Sequence, residues 1–235
     1  MTNLPSPLQI GMLIYPGVTL LDFVGPLTAL GTTEKVHLVS KTLAPVLSDS
    51  AVSIVPTATF ETCPADLDVL FVPGGLGTAE VMEDAETLRF LADRGSRAKY
   101  VTSVCSGSLI LAIAGLLDGY RATTHWSSYE VLAALGVEVS DERVVVDRNR
   151  LTGGGVTAGI DFGLVLLAQL RGEPLAKMSQ LAMEYDPAPP FDAGRPEKAG
   201  PEATAMARSI VAEVHARTLT IAGRRASAQA PRARG

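Results

Sequence analysis

Hydrophobic residues fall in short runs along this chain, and the runs alternate between two kinds. One kind is short, continuously apolar and rich in β-branched residues, which is typical of strands buried on both faces of a parallel sheet. The other kind is longer and repeats its apolar residues every three or four positions, which is typical of helices that cover a sheet. The alternation therefore predicts an α/β fold with a mainly parallel sheet sandwiched by helices.

The pattern also predicts where most of the elements lie. Strands are expected at residues 9–15, 36–40, 68–72, 100–104, 121–125, 137–139 and 144–147, with an antiparallel excursion near 52–55. Helices are expected at residues 19–30, 85–97, 109–117, 127–135, 160–170, 174–183 and 203–218. A proline-rich crossing at 186–200 is too stiff for either kind of element. With no internal repeat or interior linker, residues 1–223 are predicted to form a single domain, and 224–235 a disordered basic tail.

Composition narrows the classes of function. The net charge is −5, which argues against a nucleic-acid surface because such surfaces need clustered Lys and Arg. No apolar run suggests a membrane span, and residues 1–8 lack the basic region of a signal peptide. The two cysteines, Cys63 and Cys105, are therefore expected to be free thiols in a reducing cytoplasm.

A sharp corner between a strand and a helix is predicted at Cys105. The strand at 100–104 runs into Cys105, and the small residues Ser106, Gly107 and Ser108 leave room for the main chain to fold back. The corner places the sulfur at a helix N-terminus, which favours a thiolate and hence a reactive cysteine. A buried cysteine acting as a small hydrophobe is the alternative.

Other polar positions follow strands at the same predicted edge of the sheet, where open α/β sheets bind ligands. Gly74 and Gly75 form either an ordinary turn or a loop whose Gly75 N–H, with that of Ser106, faces developing negative charge. Asp22 is either a solvated or capping carboxylate or, in its apolar surroundings, a proton donor with a raised pKa. His125 ends a predicted strand, and a structural role is as plausible for it as pairing with the cysteine.

Several stretches together resemble one known family. They are LDFVGP at 21–26, VTSVC at 101–105, ATTHW at 122–126, LTGGG at 151–155 and APPF at 188–191, with PGG at 73–75. Over residues 8–183 the chain resembles the DJ-1/PfpI superfamily, and within it the isonitrile (isocyanide) hydratases. The resemblance implies a flavodoxin-like fold of the class I glutamine amidotransferase type, a homodimer and no cofactor or metal. The implied activity is that of a hydro-lyase, which hydrates isonitriles to N-substituted formamides.

Residue by residue, the resemblance makes Cys105 the nucleophile and Asp22 the general acid and base. A cysteine thioimidate would be the intermediate, with Ser106 assisting. An apolar pocket around Asp22 and Trp126 would suit an uncharged substrate, with Trp126 as an ordinary core residue as the alternative. Ser106 stands where the hydratases carry Thr, so the hydroxyl is kept and the β-branch is lost. The superfamily's peptidases carry His at that position, and its absence here argues against peptidase activity.

Two other classes of function stay open. A DJ-1-like glyoxalase or a redox-responsive protein would use the same cysteine, and His125 is common to that branch as well. AraC-type regulators have an amino-terminal half with this fold and continue into a DNA-binding module. Only 35 residues follow Gly200, which is too short for that module.

Overall fold

The structure, a computed structural model, describes residues 6–31 and 33–229. Its strands are β1 (Gln9–Leu13), β2 (Lys35–Ser40), β3 (Val46–Leu47), β4 (Ser53–Ile54), β5 (Ala58–Thr59), β6 (Val69–Val72), β7 (Tyr100–Val104), β8 (Arg121–Ala122), β9 (Glu138–Val139), β10 (Val144–Asp147) and β11 (Arg150–Gly153). Its helices are α1 (Leu20–Leu30), α2 (Thr78–Glu83), α3 (Ala85–Arg97), α4 (Gly107–Ile113), α5 (Tyr129–Ala134), α6 (Ala158–Arg171), α7 (Glu173–Ala182), α8 (Pro196–Ala199), α9 (Pro201–Ile210) and α10 (Ala212–Gln229). A 3₁₀ turn at Trp126–Ser128 precedes α5.

A seven-stranded sheet forms the centre of the molecule, in the order β10-β11-β7-β6-β1-β2-β5. Every pair in it is parallel except β10 with β11, which form an antiparallel hairpin at one edge. The predicted mainly parallel sheet is therefore confirmed. The excursion near residues 52–55 is confirmed as well, because β3 and β4 pair antiparallel outside the main sheet.

Helices bury both faces of this sheet. The side chains of β6 are all buried, as the continuous apolar run predicts. Helices α1 and α6 pack together on one face, where Phe162 of α6 lies 5.5 Å from Phe71 of β6, ring centroid to centroid. Helices α3 and α4 cover the other face, and α10 packs on α2 and α5. The carboxyl ends of β1, β6 and β7 consequently open at one edge between these layers.

Two of the predicted elements end at least three residues earlier than the sequence suggests. Helix α4 ends at Ile113 rather than at residue 117, because the chain turns at Gly115 with a φ of +78°. The strand predicted at 121–125 stops at Ala122, because the next backbone groups bond to side chains instead of a neighbouring strand. Thr123 N–H, for example, donates to Thr152 Oγ1 at 2.9 Å.

The C-terminal segment also differs from the prediction. Helices α9 and α10 replace the single helix at 203–218, and α10 continues through residues 224–229, where disorder was predicted. Arg224 pairs with Glu83 on α2, which gives that part of the helix a tertiary anchor. Residues 230–235 of the predicted tail lie outside the described residues, and the single domain of residues 1–223 stays a prediction. None of the helices in the described part of the chain combines the length and apolarity that a membrane crossing requires.

Candidate active site

Cys105 occupies a strained corner between β7 and α4, as the sequence predicts. Its φ is +57°, a left-handed conformation that is unfavourable for a residue with a Cβ. The Cys105 N–H donates to the carbonyls of Gly153 and Gly154 at 3.1 and 2.8 Å. Its carbonyl accepts from the hydroxyls of Thr124 and Ser108 at 2.9 and 3.1 Å. Four hydrogen bonds therefore hold this conformation in place.

Close backbone approach explains the glycines around the corner. A Cβ at Gly107 would lie 2.1 Å from the carbonyl oxygen of Val72, so α4 could not begin against β6. A Cβ at Gly74 would lie 2.5 Å from the backbone nitrogen of Ser106. The loop after β6 can thus pack directly against the nucleophile corner.

Asp22 lies on α1 with its carboxyl group fully buried beside this loop. The Gly74 N–H donates to Oδ2 at 2.9 Å, and within the described residues Oδ1 has no hydrogen-bond partner. Burial raises the pKa of Asp22 to about 7, although the hydrogen bonds from Gly74 and the Cys105 side chain work in the opposite direction. The burial and raised pKa agree with the second of the two alternatives for Asp22, and its role as a proton donor stays a prediction.

The side chain of Cys105 is held as a thiol. Burial raises its pKa well above the ordinary value, and the negative charge of Asp22 raises it further. The backbone N–H and hydroxyl of Ser106 oppose this rise. The predicted preference for a thiolate is therefore wrong for the resting state, because burial outweighs the N-terminus of a helix only two turns long.

Ser106 and Gly75 bond to each other. The Gly75 N–H donates to Ser106 Oγ at 3.1 Å, so in this structure it does not point freely toward a substrate as expected. It is the N–H of Gly74 that contacts the proposed acid, Asp22. Sequence reasoning singled out this loop but could not decide which of its two N–H groups meets which partner.

A cavity of about 350 Å³ opens above Cys105 and Ser106. One side is supplied by loops at the sheet edge, with Gly75, Leu76 and Val156, and by Leu109 in the first turn of α4. The other side comes from the end of α9 and from α10, which contribute Ile210, Val211, Val214, His215 and Thr218. This second wall was not predicted, although the apolar residues three and four positions apart at 210–214 indicate an apolar helix face.

Trp126 and Asp22 do not share a pocket. Trp126 lines a neighbouring cavity of about 380 Å³ and Asp22 lines neither cavity, so the predicted pocket around Asp22 and Trp126 is wrong. His125 borders both cavities. Its Nδ1 lies 2.7 Å from Ser127 Oγ, and burial lowers its pKa, so the ring is neutral and engaged with Ser127.

The other cysteine has the features of an inert thiol. Cys63 is buried and unpaired with Cys105, which confirms the prediction of two free thiols. Burial raises the pKa of Cys63, and its nearest charged neighbour is Arg94. Within residues 6–31 and 33–229, no three His, Cys, Asp or Glu side chains cluster closely enough to bind a metal ion.

The arrangement suits addition of a thiol to an uncharged electrophile. The thiol proton of Cys105 lies beside a carboxyl group that exchanges protons near neutral pH. The walls of the cavity combine six aliphatic side chains with hydroxyl groups, two histidines and Asp49, and they carry no Lys or Arg side chain among the described residues. Cys105 thus borders the cavity, and Asp22 lies next to Cys105 without lining the cavity itself.

Comparison with known proteins agrees with this picture. The DJ-1/PfpI family model matches residues 9–169. An isonitrile hydratase from Pseudomonas putida is 52% identical over 194 residues, which cover 82% of this chain and 85% of that protein. The crystal structure of a ThiJ/PfpI family protein from Pseudomonas syringae is 53% identical, covers 95% of this chain and 94% of its own, and superposes with a TM-score of 0.91.

A group of regulators is more distant. The HTH-type transcriptional regulator GbdR from Pseudomonas aeruginosa is 31% identical over 184 residues. The match covers 73% of this chain and only 49% of the regulator. The likeness is thus confined to about half of the regulator's length.

Proposed function

Because the chain belongs to the DJ-1/PfpI family, we propose that it hydrates isonitriles to N-substituted formamides, with Cys105 as nucleophile and Asp22 as general acid and base. The observation that carries the proposal is the position of the buried Asp22 carboxyl, which accepts from the Gly74 N–H at 2.9 Å in the loop that packs against Cys105. Burial there raises the pKa of Asp22 to about 7. The activity named for the Pseudomonas putida relative, at 52% identity, supports it.

The first step adds the thiol across the terminal carbon of the isonitrile. The sulfur of Cys105 attacks this carbon while the thiol proton passes to the Asp22 carboxylate. Asp22 then delivers that proton to the same carbon. One S–H bond and one π bond of the C≡N group break, one C–S and one C–H bond form, and the product is a thioimidate, R–N=CH–S, on Cys105. No second reactant is needed.

The second step hydrolyses the thioimidate. Asp22, again a carboxylate, takes a proton from a water molecule whose oxygen attacks the thioimidate carbon, and it passes this proton to the nitrogen. The resulting R–NH–CH(OH)–S intermediate then collapses. The C–S bond breaks, the hydroxyl proton goes to the leaving sulfur through Asp22, and R–NH–CHO is released. Both the thiol and the carboxylate are restored.

Ser106 and Gly75 serve these steps in different ways. The Ser106 N–H lies beside the sulfur and stabilises negative charge there, and the Ser106 hydroxyl contributes to the same effect. Gly75 acts indirectly, because its N–H donates to Ser106 Oγ and so fixes the position of that hydroxyl. The Ser106 side chain thereby keeps the hydrogen-bonding capacity of a threonine.

The cavity favours isonitriles with an uncharged hydrocarbon substituent. Leu76, Leu109 and Val156 face Val211 and Val214 across the space above the sulfur. Burying apolar area is favourable by roughly 25 cal/mol per Å², so a branched or cyclic hydrocarbon gains affinity there. An anionic substituent would lose its hydration without meeting a Lys or Arg side chain in the wall, whose charged residue is the acidic Asp49.

The protein is further proposed to act as a homodimer in the cytoplasm, without a cofactor. Large apolar side chains on and after α7, namely Met178, Leu181 and Phe191, are 57%, 81% and 79% exposed, a pattern common at protein interfaces. Two unpaired cysteines agree with a reducing compartment.

A DJ-1-like glyoxalase or a redox-responsive cysteine protein is the competing proposal, because it would use the same cysteine. His125 borders the cavity in either case, so it does not separate the two. The raised pKa of Cys105 weighs against a redox sensor, since such cysteines react as accessible thiolates.

Parallel assays separate these activities. The protein is incubated with cyclohexyl isonitrile and, separately, with methylglyoxal, and Cys105→Ala is the control. We expect N-cyclohexylformamide from the wild type alone, and little consumption of methylglyoxal. Cys105-dependent consumption of methylglyoxal without formamide formation would overturn the proposal.

A further inference from the structure

Three buried hydroxyl groups form a row behind the nucleophile. Ser106, Thr78 and Tyr15 are 9%, 0% and 5% exposed. Thr78 Oγ1 lies 2.7 Å from Ser106 Oγ and 3.4 Å from Tyr15 Oη. Of these three, only Ser106 is part of the chemistry proposed above, so the function of the row has to be found in its hydrogen bonds.

Two of the hydrogens around this row are already committed. The Tyr15 hydroxyl donates to the carbonyl of Pro73 at 2.9 Å, so Tyr15 has no hydrogen left for Thr78. The Gly75 N–H donates to Ser106 Oγ. The only hydrogens in the row that can change partner are those of the Thr78 and Ser106 hydroxyls. In the 2.7 Å bond between these two groups, only one can donate at a time.

Two arrangements of the row differ in the direction of the 2.7 Å bond between Thr78 and Ser106. In the first, Ser106 donates to Thr78, and Thr78 donates to the carbonyl of Gly75 at 2.7 Å. In the second, Thr78 donates to Ser106, and the Ser106 hydrogen is released to the sulfur of Cys105. The Gly75 carbonyl is not left unpaired by this change, because it also accepts from the Thr78 N–H at 3.1 Å.

We propose that Thr78 is a positioning residue for the nucleophile, whose hydroxyl reverses its donor direction when Cys105 loses its proton so that Ser106 can donate to the thiolate. The inference concerns the reactivity of the thiol. The role of Thr78 in the reactivity of Cys105 can be measured without an isonitrile. Only its expected effect on turnover rests on the proposed function.

The physical reason is the greater strength of hydrogen bonds to charged acceptors. A thiolate gains more from the Ser106 hydrogen than the neutral Thr78 oxygen does, so ionisation of Cys105 favours the second arrangement. A hydroxyl that accepts from Thr78 and Gly75 is also polarised, which makes it a better donor to the sulfur. Without the Thr78 hydroxyl, Ser106 keeps its hydrogen but loses this polarisation and a partner that fixes its rotamer.

Alkylation of the cysteine tests this inference without any isonitrile. The rate of carbamidomethylation by iodoacetamide is measured against pH at the peptide that contains Cys105, which keeps Cys63 out of the signal. Thr78→Val removes the hydroxyl at nearly constant volume. In this variant we expect the rate of alkylation of Cys105 at pH 7 to fall about tenfold, which corresponds to a rise of about one unit in the pKa of the thiol. Thr78→Ser, which keeps the hydroxyl, is expected to restore the wild-type profile.

Thr102→Val is the matched control. Thr102 is also buried, lies three residues from Cys105, and its hydroxyl donates to the carbonyl of Leu70 at 3.0 Å, outside the row. The Thr102→Val variant should leave the pH profile of Cys105 alkylation unchanged. If Thr78→Val does not fold, Thr78→Ala replaces it, since it deletes the hydroxyl without adding an apolar group. An unchanged profile in a folded Thr78 variant without the hydroxyl would overturn the inference.

A double-mutant cycle shows whether Thr78 acts through Ser106. In a Ser106→Ala background, Thr78→Val should have no further effect on alkylation. A further drop of the same size would also overturn the inference.

The proposed function and the proposed role of Thr78 can fail separately. If the wild type yields no formamide but the alkylation profile shifts as stated, the function is wrong and the role of Thr78 stands. If formamide forms and the profile does not shift, the function stands and the role of Thr78 is wrong.

Discussion

Asp22 and Cys105 face each other in a buried site in which each group affects the protonation of the other. Burial raises the pKa of both, the charge of Asp22 raises that of Cys105 further, and the Cys105 side chain works against the rise at Asp22. Near neutral pH the pair therefore keeps one proton that both groups can use. This shared proton is the one that hydration of an isonitrile has to move from sulfur to carbon.

Replacing Asp22 by Asn should separate catalysis from thiol reactivity. Without the carboxyl group, formamide formation should fall by about 10²–10⁴, the usual contribution of a general acid or base. Alkylation of Cys105 by iodoacetamide at pH 8 should become faster, because a negative charge that raises its pKa is gone. Assays of both reactions on one preparation test the prediction. Equal losses in the two reactions would indicate a misfolded site.

Activity should rise with pH in the neutral range. The reactive form of the Asp22–Cys105 pair carries one proton. This form appears when the first of two protons dissociates from the pair, with a pKa of about 7. The value of kcat/KM should therefore increase through pH 7 and fall only at high pH, where the second proton is lost. A flat profile between pH 5.5 and 8.5 would contradict this protonation scheme.

Asp22 should also make folding stability depend on pH. Folding raises its pKa from 3.8 to about 7, so the folded state binds this proton more tightly than the unfolded state. The resulting stabilisation is complete below pH 3.8 and is lost as the pH rises through 7, by about 4 kcal/mol at most. Urea unfolding at pH 5 and pH 8 measures the loss.

The variant Asp22→Asn serves as the reference for that measurement. It carries no titrating group at this position, so its stability relative to the wild type should increase by roughly 2–3 kcal/mol between pH 5 and pH 8. A constant difference would mean that Asp22 titrates normally in the folded protein.

Helix α10 should determine which substituents fit. Val214 lines the cavity above Cys105, and Val214→Trp narrows it. We expect kcat/KM for an adamantyl isonitrile to drop by about 10–200-fold, and that for methyl isonitrile to change little. Met206→Trp is the control, because Met206 is 67% exposed on the neighbouring helix and does not line the cavity. Equal losses for both substrates would show that Val214 does not select by size.

Local sequence patterns explain why much of the fold could be predicted. Helix α3 and strand β10 begin and end as predicted, because their apolar periodicity matches one kind of element and polar residues flank them. The corner at Cys105 was predictable from the small residues that follow it. The end of α4 was not, since Leu116 and Leu117 are apolar and buried although the helix has already ended at Ile113.

What the sequence could not provide depends on packing between distant segments. The protonation of Cys105 follows from its burial and from Asp22, which lies 83 positions earlier in the chain. The second wall of the cavity depends on how α10 is placed, and Arg217 anchors α10 to Glu80 and Glu83 on α2. No local pattern specifies such contacts, so the wall of the cavity that α10 forms could not be predicted from the sequence.

The most direct test of the proposed chemistry is the mass of the protein during turnover. Wild-type protein is mixed with cyclohexyl isonitrile, quenched in acid within milliseconds and analysed by mass spectrometry, with Cys105→Ala alongside. We predict a transient gain equal to the full mass of the isonitrile, located at Cys105, because the thiol adds without a leaving group. The Cys105→Ala variant should show neither the adduct nor N-cyclohexylformamide. Formamide formation by Cys105→Ala at the wild-type rate would contradict the proposed reaction.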